Sequence, residues 1–407
     1  MTDPSQPPRP RPLDGIRVLE MGQLLAGPFA ATLLAYFGAE VIKIEPPRTG
    51  DPIRGWRGLD ESGTSLWWRS VGRNKRCITL DLHSEEGRAL TRRLAAKVDV
   101  LIENFKPGTL ERWGLGPEEL QRDNPELILA RVSGYGQTGP SSHLPGYASV
   151  CEGVGGLRHV TGHPGEPPVR ANLSLGDSLA GLHTALGVLL ALFDRLRRRP
   201  SRGQVVDVAI YEAVFNMMEA VVPEYDRLGQ IRGPSGTTIT GVVPTNTYPT
   251  RDGRFVIIGG TGESIFRRLM AALERPDLGE DPRLATNAGR VEHQEELDRV
   301  IAAWTAARSA QEVLAAMAAA DVPAGPIHDV ADMVRDPHFQ ARGLFERVDT
   351  ETGPLTLPAI LPKLTDTPGR TEWAGPNLSA HTREVLSGLL GLSEAELDGL
   401  QARGVIG

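Results

Sequence analysis

Alternation of short strands with helices over the first hundred residues restricts this chain to one architecture more tightly than any other feature. GIRVLEMG (15–22) reads as a strand, GPFAATLLAYFGA (27–39) as a helix and EVIKIE (40–45) as a second strand. CITLDL (77–82), the helical SEEGRALTRRLAAK (84–97) and VDVLIENF (98–105) continue the pattern. Strand–helix–strand repetition of this kind requires a parallel sheet covered on both faces, so the expected class is α/β with a Rossmann-like layer.

That class raises the question of a dinucleotide. The first turn, Met21-Gly22-Gln23-Leu24-Leu25-Ala26-Gly27-Pro28, lacks the G-x-G-x-x-G spacing that brings backbone amides against a pyrophosphate. Pro28 suits the first helical position, so the turn reads as a strand-to-helix junction. The chain contains no G-x-x-x-x-G-K-[ST] loop, no H-E-x-x-H pair and no G-x-S-x-G elbow.

A long apolar stretch follows at Val169–Phe193, VRANLSLGDSLAGLHTALGVLLALF. Leu179, Leu182, Leu186, Leu190 and Phe193 recur at helical spacing, which predicts a helix buried in the middle of a large core. Asp177 sits at its mouth between Gly176 and Ser178. One reading makes it a cap whose oxygens accept backbone N–H groups at the positive end of the helix dipole. The other makes it a carboxylate dry enough to act as a nucleophile, with Gly176 letting a ligand approach the backbone.

At 407 residues the chain exceeds what one compact core organises, and two lobes are expected. The net charge of −7 supplies no basic field for nucleic acid. The run Arg195–Arg202 (RLRRRPSR) reads first as a solvated helix end and only second as a binding patch. Cys77 and Cys151 are too few for a disulfide framework or a metal knuckle and are expected to be buried thiols. MTDPSQPPRPRP (1–12) reads as a proline-rich disordered leader rather than a signal peptide, and the apolar run 179–193 is shorter than the roughly 20 residues of a membrane span. A cytoplasmic protein with no membrane contact is expected. Past Gly108 the turn-rich segments around GYGQTGP and GYASVCEGVGG mark long loops of the kind that carry sites. Tyr147 stands out there as a phenol able to donate to an oxyanion, with a purely structural tyrosine as the equal alternative.

The ordered set LDGIRVLEMGQLLAGPFAATLLAYFGAEVIKIEPP, GRNKRCITLDL, DVLIENFKPGTLERWGL, GYGQTGP and GDSLAGLHTALG resembles the family III CoA-transferases. RGQVVDVAIYEAVFN, VPAGPIHDV, DPHFQARG and GPNLSAHTREVL extend the resemblance over essentially the whole chain past the leader. The resemblance implies a large domain built from 13–224 and completed by 331–407, a smaller α/β domain at 225–330, and two subunits interlocked as a homodimer. It implies Asp177 as the nucleophile, an acyl-CoA and a small carboxylic acid as substrates, and no tightly bound cofactor or metal. CoA contacts would fall on Leu24 and Leu25, on Leu80, Asp81 and Leu82, on Asn104, Phe105 and Lys106, and on Arg112. Lys106 and Arg112 flank a strand end and suit CoA phosphates, although surface charge explains the residue types equally well.

Departures from the formyl-CoA-transferring members bear on specificity. Leu25 stands where those members carry a glutamine, with Gln23 two positions upstream, and Pro46 replaces an arginine for which Arg48 is the nearest substitute. The segment Gly233–Pro244, GPSGTTITGVVP, is poorer in glycine than their lid. Thr237, Thr238, Thr240 and Asn246 offer polar groups suited to a dicarboxylate or hydroxy-dicarboxylate, and succinyl-CoA is the expected donor. Two other readings stand beside the transferase. One is a 2-methylacyl-CoA racemase, which needs a second acid/base where this chain has Gly146-Tyr147-Ala148, and a phenol near pKa ~10 is a poor base there. The other is a CoA-binding protein without catalysis.

Overall fold

The structure is a computed structural model that describes residues 10–407, so the expected leader lies, up to residue 9, outside the described residues. Two compact units divide the chain. Among the described residues the first comprises 10–157, Ala171–Glu219 and Ala341–Gly407; the second comprises Arg158–Arg170 and Ala220–Gln340.

In the first unit six strands form one sheet: β1 (Arg17–Glu20), β2 (Glu40–Glu45), β3 (Lys75–Thr79), β4 (Val100–Glu103), β5 (Ile128–Ser133) and β6 (Val205–Ala209). Their order is 3-2-1-4-5-6, and every pairing is parallel. Alternate residues feed two cores, because successive side chains on a strand point to opposite faces. Leu19, Ile42, Leu101 and Leu129 meet Leu90 and Leu94 of the helix Glu85–Ala95 on one face, with Val385, Leu386 and Leu397 from the last two helices. On the other face Val18, Val41, Val100 and Ile128 meet the first helix, Ala26–Tyr36, and the long helix Leu175–Arg197. Each such side chain taken out of water contributes about 1.5–3 kcal/mol. The four strands expected at the N-terminus are β1 to β4, and the helices expected between them are present.

Two local readings are corrected. The first helix begins at Ala26 with Leu25 as its cap, so Pro28 is its third residue; it still falls in the first turn, where a missing N–H costs no helical bond. The long helix is not buried all round. Ala180, Gly181, Thr184, Ala185, Val188 and Ala191 face the core, while Leu182, Leu186, Leu190 and Phe193 are 48, 55, 61 and 59% exposed. The reason is close packing: a Cβ on Gly181 would lie 2.9 Å from the Ala26 carbonyl oxygen, and one on Gly187 would lie 2.6 Å from Val206 Cγ1. Small residues therefore take the inward face and the leucines turn outward. By length and composition this 23-residue helix also reaches membrane-spanning dimensions, but its small-residue side is packed inside the unit.

The second unit carries an antiparallel sheet of three strands, Thr245–Pro249, Phe255–Gly259 and Ala324–Pro326. Val256 and Ile258 point into a core with Phe266, Leu269, Leu297, Ile301 and Val313 from the helices Glu263–Ala272, Gln294–Ala306 and Ala310–Ala319. The last of these starts with a capping box between Ser309 and Glu312.

Candidate active site

In an open parallel sheet of order 3-2-1-4-5-6 the strand direction of connection reverses between β1 and β4, and the crevice beyond their carboxyl ends is where ligands bind. The first turn and the Asn104 segment meet there. The Asn104 side chain accepts from Gln23 N (2.8 Å) and donates to Gln23 O (2.8 Å), copying the way one strand residue pairs with another. Gly22 is required for that approach, because a Cβ would fall 2.9 Å from Asn104 Oδ1.

Leu24 follows with φ +63°, a left-handed conformation that costs a leucine about 1–2 kcal/mol. Its N–H donates to both carboxylate oxygens of Asp51, at 3.0 and 3.2 Å. Asp51 is buried, accepts from Ile53 N (3.1 Å) and lies 3.0 Å from Lys43 Nζ. Lys43 also donates to Glu20 Oε1 and to the Gly22 carbonyl, both at 2.7 Å. Burial works against the Lys43 charge, but Glu20, Asp51 and Glu45 outweigh it and raise its pKa above the ordinary lysine value. Lys75 contacts the other Glu20 oxygen at 2.7 Å, and Arg54 holds Glu45 through two 2.7 Å bonds while stacking 3.8 Å over Trp68. Under the turn lie three anions, Glu20, Glu45 and Asp51, matched by three cations, Lys43, Lys75 and Arg54. None of these six was singled out from sequence. For Glu20, Lys43 and Glu45 the signal was present in RVLE and EVIKIE, where charges occupy strands that a parallel sheet buries on both faces.

The other expected CoA-contact residues are spread along the same edge. Leu25 is buried against Ile53, Trp68, Val71 and Cys77. Arg48 is exposed after β2, with φ +70°. Leu80 is sealed in the core, Asp81 N donates to Val405 O at 2.9 Å, and half-buried Leu82 packs against that core. Phe105 is half-buried and meets the Trp113 ring edge-on at 5.2 Å, while Trp113 meets His83 at 5.7 Å. Lys106 and Arg112 are exposed, and Arg112 donates to Thr109 Oγ1 at 2.9 Å. Beneath them buried Glu103 takes Arg131 Nε at 2.8 Å and Phe105 N at 2.7 Å. Burial pushes its carboxyl up to about 7, against the pull of Arg131.

Asp177 is the third residue of the long helix, half-buried in its first turn; Ser174 occupies the cap position without a side-chain bond to it. The short helix Ala148–Val154 packs across this helix start. Gly176 N donates to Glu152 Oε1 at 3.2 Å, and a Cβ on Gly176 would lie 3.3–3.4 Å from Glu152, Ile210 and Ala148. Gly176 thus serves the packing of the two helices. Cys151, buried next to it, has its thiol pushed up to about 11 by burial and then by the charges of Asp177 and Glu152. Both cysteines are free and buried, as expected. Tyr147 caps the short helix from outside and is 71% exposed. In the second unit, Thr237 Oγ1 donates to Asn246 Oδ1 (2.5 Å) and Thr238 Oγ1 to Ser235 O (2.8 Å), so these hydroxyls brace their own segment.

The arrangement is an α/β fold with an open parallel sheet and no phosphate-binding glycine loop in its first turn. The profile of CoA-transferase family III matches residues 13–382, and the chain belongs to that family. It is 50% identical over 398 residues to a succinyl-CoA–D-citramalate CoA-transferase of Chloroflexus aurantiacus, covering 98% of each chain. It is 41% identical to the alpha subunit of a succinyl-CoA–L-malate CoA-transferase of Chloroflexus aurantiacus, covering 100% of this chain and 95% of the relative. A CaiB/BaiF family protein from Brucella suis superposes with a TM-score of 0.82 at 33% identity, over 94% of this chain and 100% of that one.

Proposed function

We propose that the enzyme transfers CoA from succinyl-CoA to a small dicarboxylate or hydroxy-dicarboxylate, with Asp177 as the nucleophile. The place of Asp177 carries the reading: a half-buried carboxylate at a helix mouth, beside a packed Cys151–Glu152 wall. The relatives named for D-citramalate and L-malate support a hydroxy-dicarboxylate as the acceptor.

An Asp177 oxygen attacks the thioester carbonyl, the C–S bond breaks, and CoA leaves as thiolate with a succinyl–aspartyl anhydride behind it. The thiolate then attacks the aspartyl carbonyl, releases succinate and forms an aspartyl-CoA thioester. The acceptor carboxylate attacks that thioester and expels the thiolate, which finally takes the acceptor's acyl group and regenerates Asp177. Thioester energy is conserved throughout, so neither ATP nor a metal is required. The Tyr147 hydroxyl donates to the oxyanion of these steps. Leu24, Arg48, Asp81, Leu82, Asn104, Phe105, Lys106 and Arg112 line the CoA path, and the buried side chains of Leu25 and Leu80 support it from beneath.

We place the enzyme in the cytoplasm as an interlocked homodimer. The outward leucines of the long helix support the dimer, since an apolar stripe of that length is normally covered. Light scattering on the active enzyme is expected to give twice the chain mass; a fully active monomer would contradict it. The substrate reading is tested by supplying succinyl-CoA with a panel of small acids and following new acyl-CoA by mass. Exchange to dicarboxylates is expected. Epimerisation of a 2-methylacyl-CoA without any exchange would overturn the reading.

A further inference from the structure

Strain and buried charge converge at one backbone position. Leu24 is left-handed without being a glycine, and such residues persist only where their surroundings over-determine them. Here the surroundings are explicit. Gly22 O is taken by Lys43, Gln23 N and O by Asn104, and Leu24 N by Asp51. Asp51 is in turn fixed by Lys43, by Ile53 N and, through its own N–H, by Glu45 at 2.8 Å. An exposed turn of this composition would relax to φ below zero. A buried carboxylate with no freedom to move is what holds it.

We infer that Asp51 is a positioning residue for acyl-CoA binding: it pins Leu24 in the left-handed conformation that presents the first turn at the β1–β4 crevice. Asp51 touches no substrate in this role; it acts through the Leu24 backbone. The inference rests on the reading that the first turn meets acyl-CoA, and it adds a residue that the family resemblance did not mark. A turn preset in this way binds its ligand without paying to order it, so the expected signature lies in affinity rather than in the rate of the chemical step.

The test is a coupled pair of substitutions on the full-length enzyme. Asp51→Asn should raise KM for succinyl-CoA and Kd for free CoA by about tenfold, with kcat changed far less. Glycine adopts φ near +60° without help, so in a Leu24→Gly background the same Asp51→Asn change should raise both constants by less than about threefold. Equal effects in the two backgrounds would overturn the inference, as would an Asp51→Asn enzyme with unaltered KM. Should Asp51→Asn fail to fold, Leu24→Val and Leu24→Gly with Asp51 intact decide the matter. Valine is nearer to leucine in size but resists a positive φ, so it should raise KM more than glycine does; the reverse order would mean that the Leu24 side chain, not its backbone, matters. Hydroxylamine trapping of acylated wild type keeps the two layers separate. Loss of trapping at Asp177 would sink the proposed chemistry, whereas normal trapping with CoA affinity indifferent to these variants would sink only this inference.

Discussion

The carboxyl ends of β1 and β2 and the mouth of the long helix face different physical problems within one unit. At the strand ends every polar group of the Gly22–Leu24 turn named above is held by a side chain, buried Lys43 and Asp51 or half-buried Asn104, before any ligand arrives. At the helix mouth Asp177 is half-buried, Tyr147 is 71% exposed, and the loop between β5 and the short helix is rich in glycine and proline. The contrast teaches a division of labour. The part proposed to hold CoA, common to donor and product, is preorganised; the part proposed to meet two different acids in turn is left open.

Asp177→Asn would break the comparison most severely. An aspartate in a helix first turn is stabilised as an anion, which lowers its nucleophilicity, so desolvation and positioning against the thioester must offset the dipole. The variant keeps size and an acceptor oxygen but loses the attacking charge. Turnover should fall by about 10³-fold or more, with CoA affinity within a few-fold of wild type by calorimetry. On the same open side, Tyr147→Phe should lower kcat by about 10²-fold, the cost of one oxyanion donor, without shifting the melting temperature.

The preorganised side should respond in stability instead. Lys43→Met leaves Glu20 and Asp51 with an uncompensated buried charge, and denaturant unfolding should show a loss of about 3–5 kcal/mol. The smallest effect is one of pH. Glu103 titrates near 7 when folded and near 4.3 when unfolded, so between those values the folded state holds the extra proton. Its contribution is fully present below about pH 4.3 and is lost as pH rises towards 7. Melting temperature should therefore decline across that window, and Glu103→Gln should flatten the decline; an unchanged slope would assign the pH dependence to other groups.

Legibility from sequence followed the range of the forces involved. Strand and helix positions in the N-terminal half are local matters of periodicity, and β1 to β4 lie where alternation put them. β6 was not assigned: VVDVA carries the right residue types, but Val205 and Asp207 lie at a solvated edge, so no apolar run marks it. Asp177 was readable because a lone carboxylate before an apolar helix is conspicuous. Asp51 was not, since its importance arises from Leu24, Lys43 and Glu45, which the fold alone brings to one place. The inward face of the long helix was misjudged for a related reason. Leucine spacing reports a helix, but only the partner helix decides that glycine and alanine must occupy the tight side.

The matched set of three anions and three cations beneath the first turn also sets terms for protein engineering. Neutralising any one of Glu20, Lys43, Glu45, Asp51, Arg54 or Lys75 leaves one buried charge without a match, so such single steps cost stability. A balanced exchange such as Glu20→Gln with Lys75→Met removes one charge of each sign at once. Stabilising redesign of this enzyme therefore gains most by moving through this cluster in complementary pairs, since each single neutralisation there is expected to cost stability.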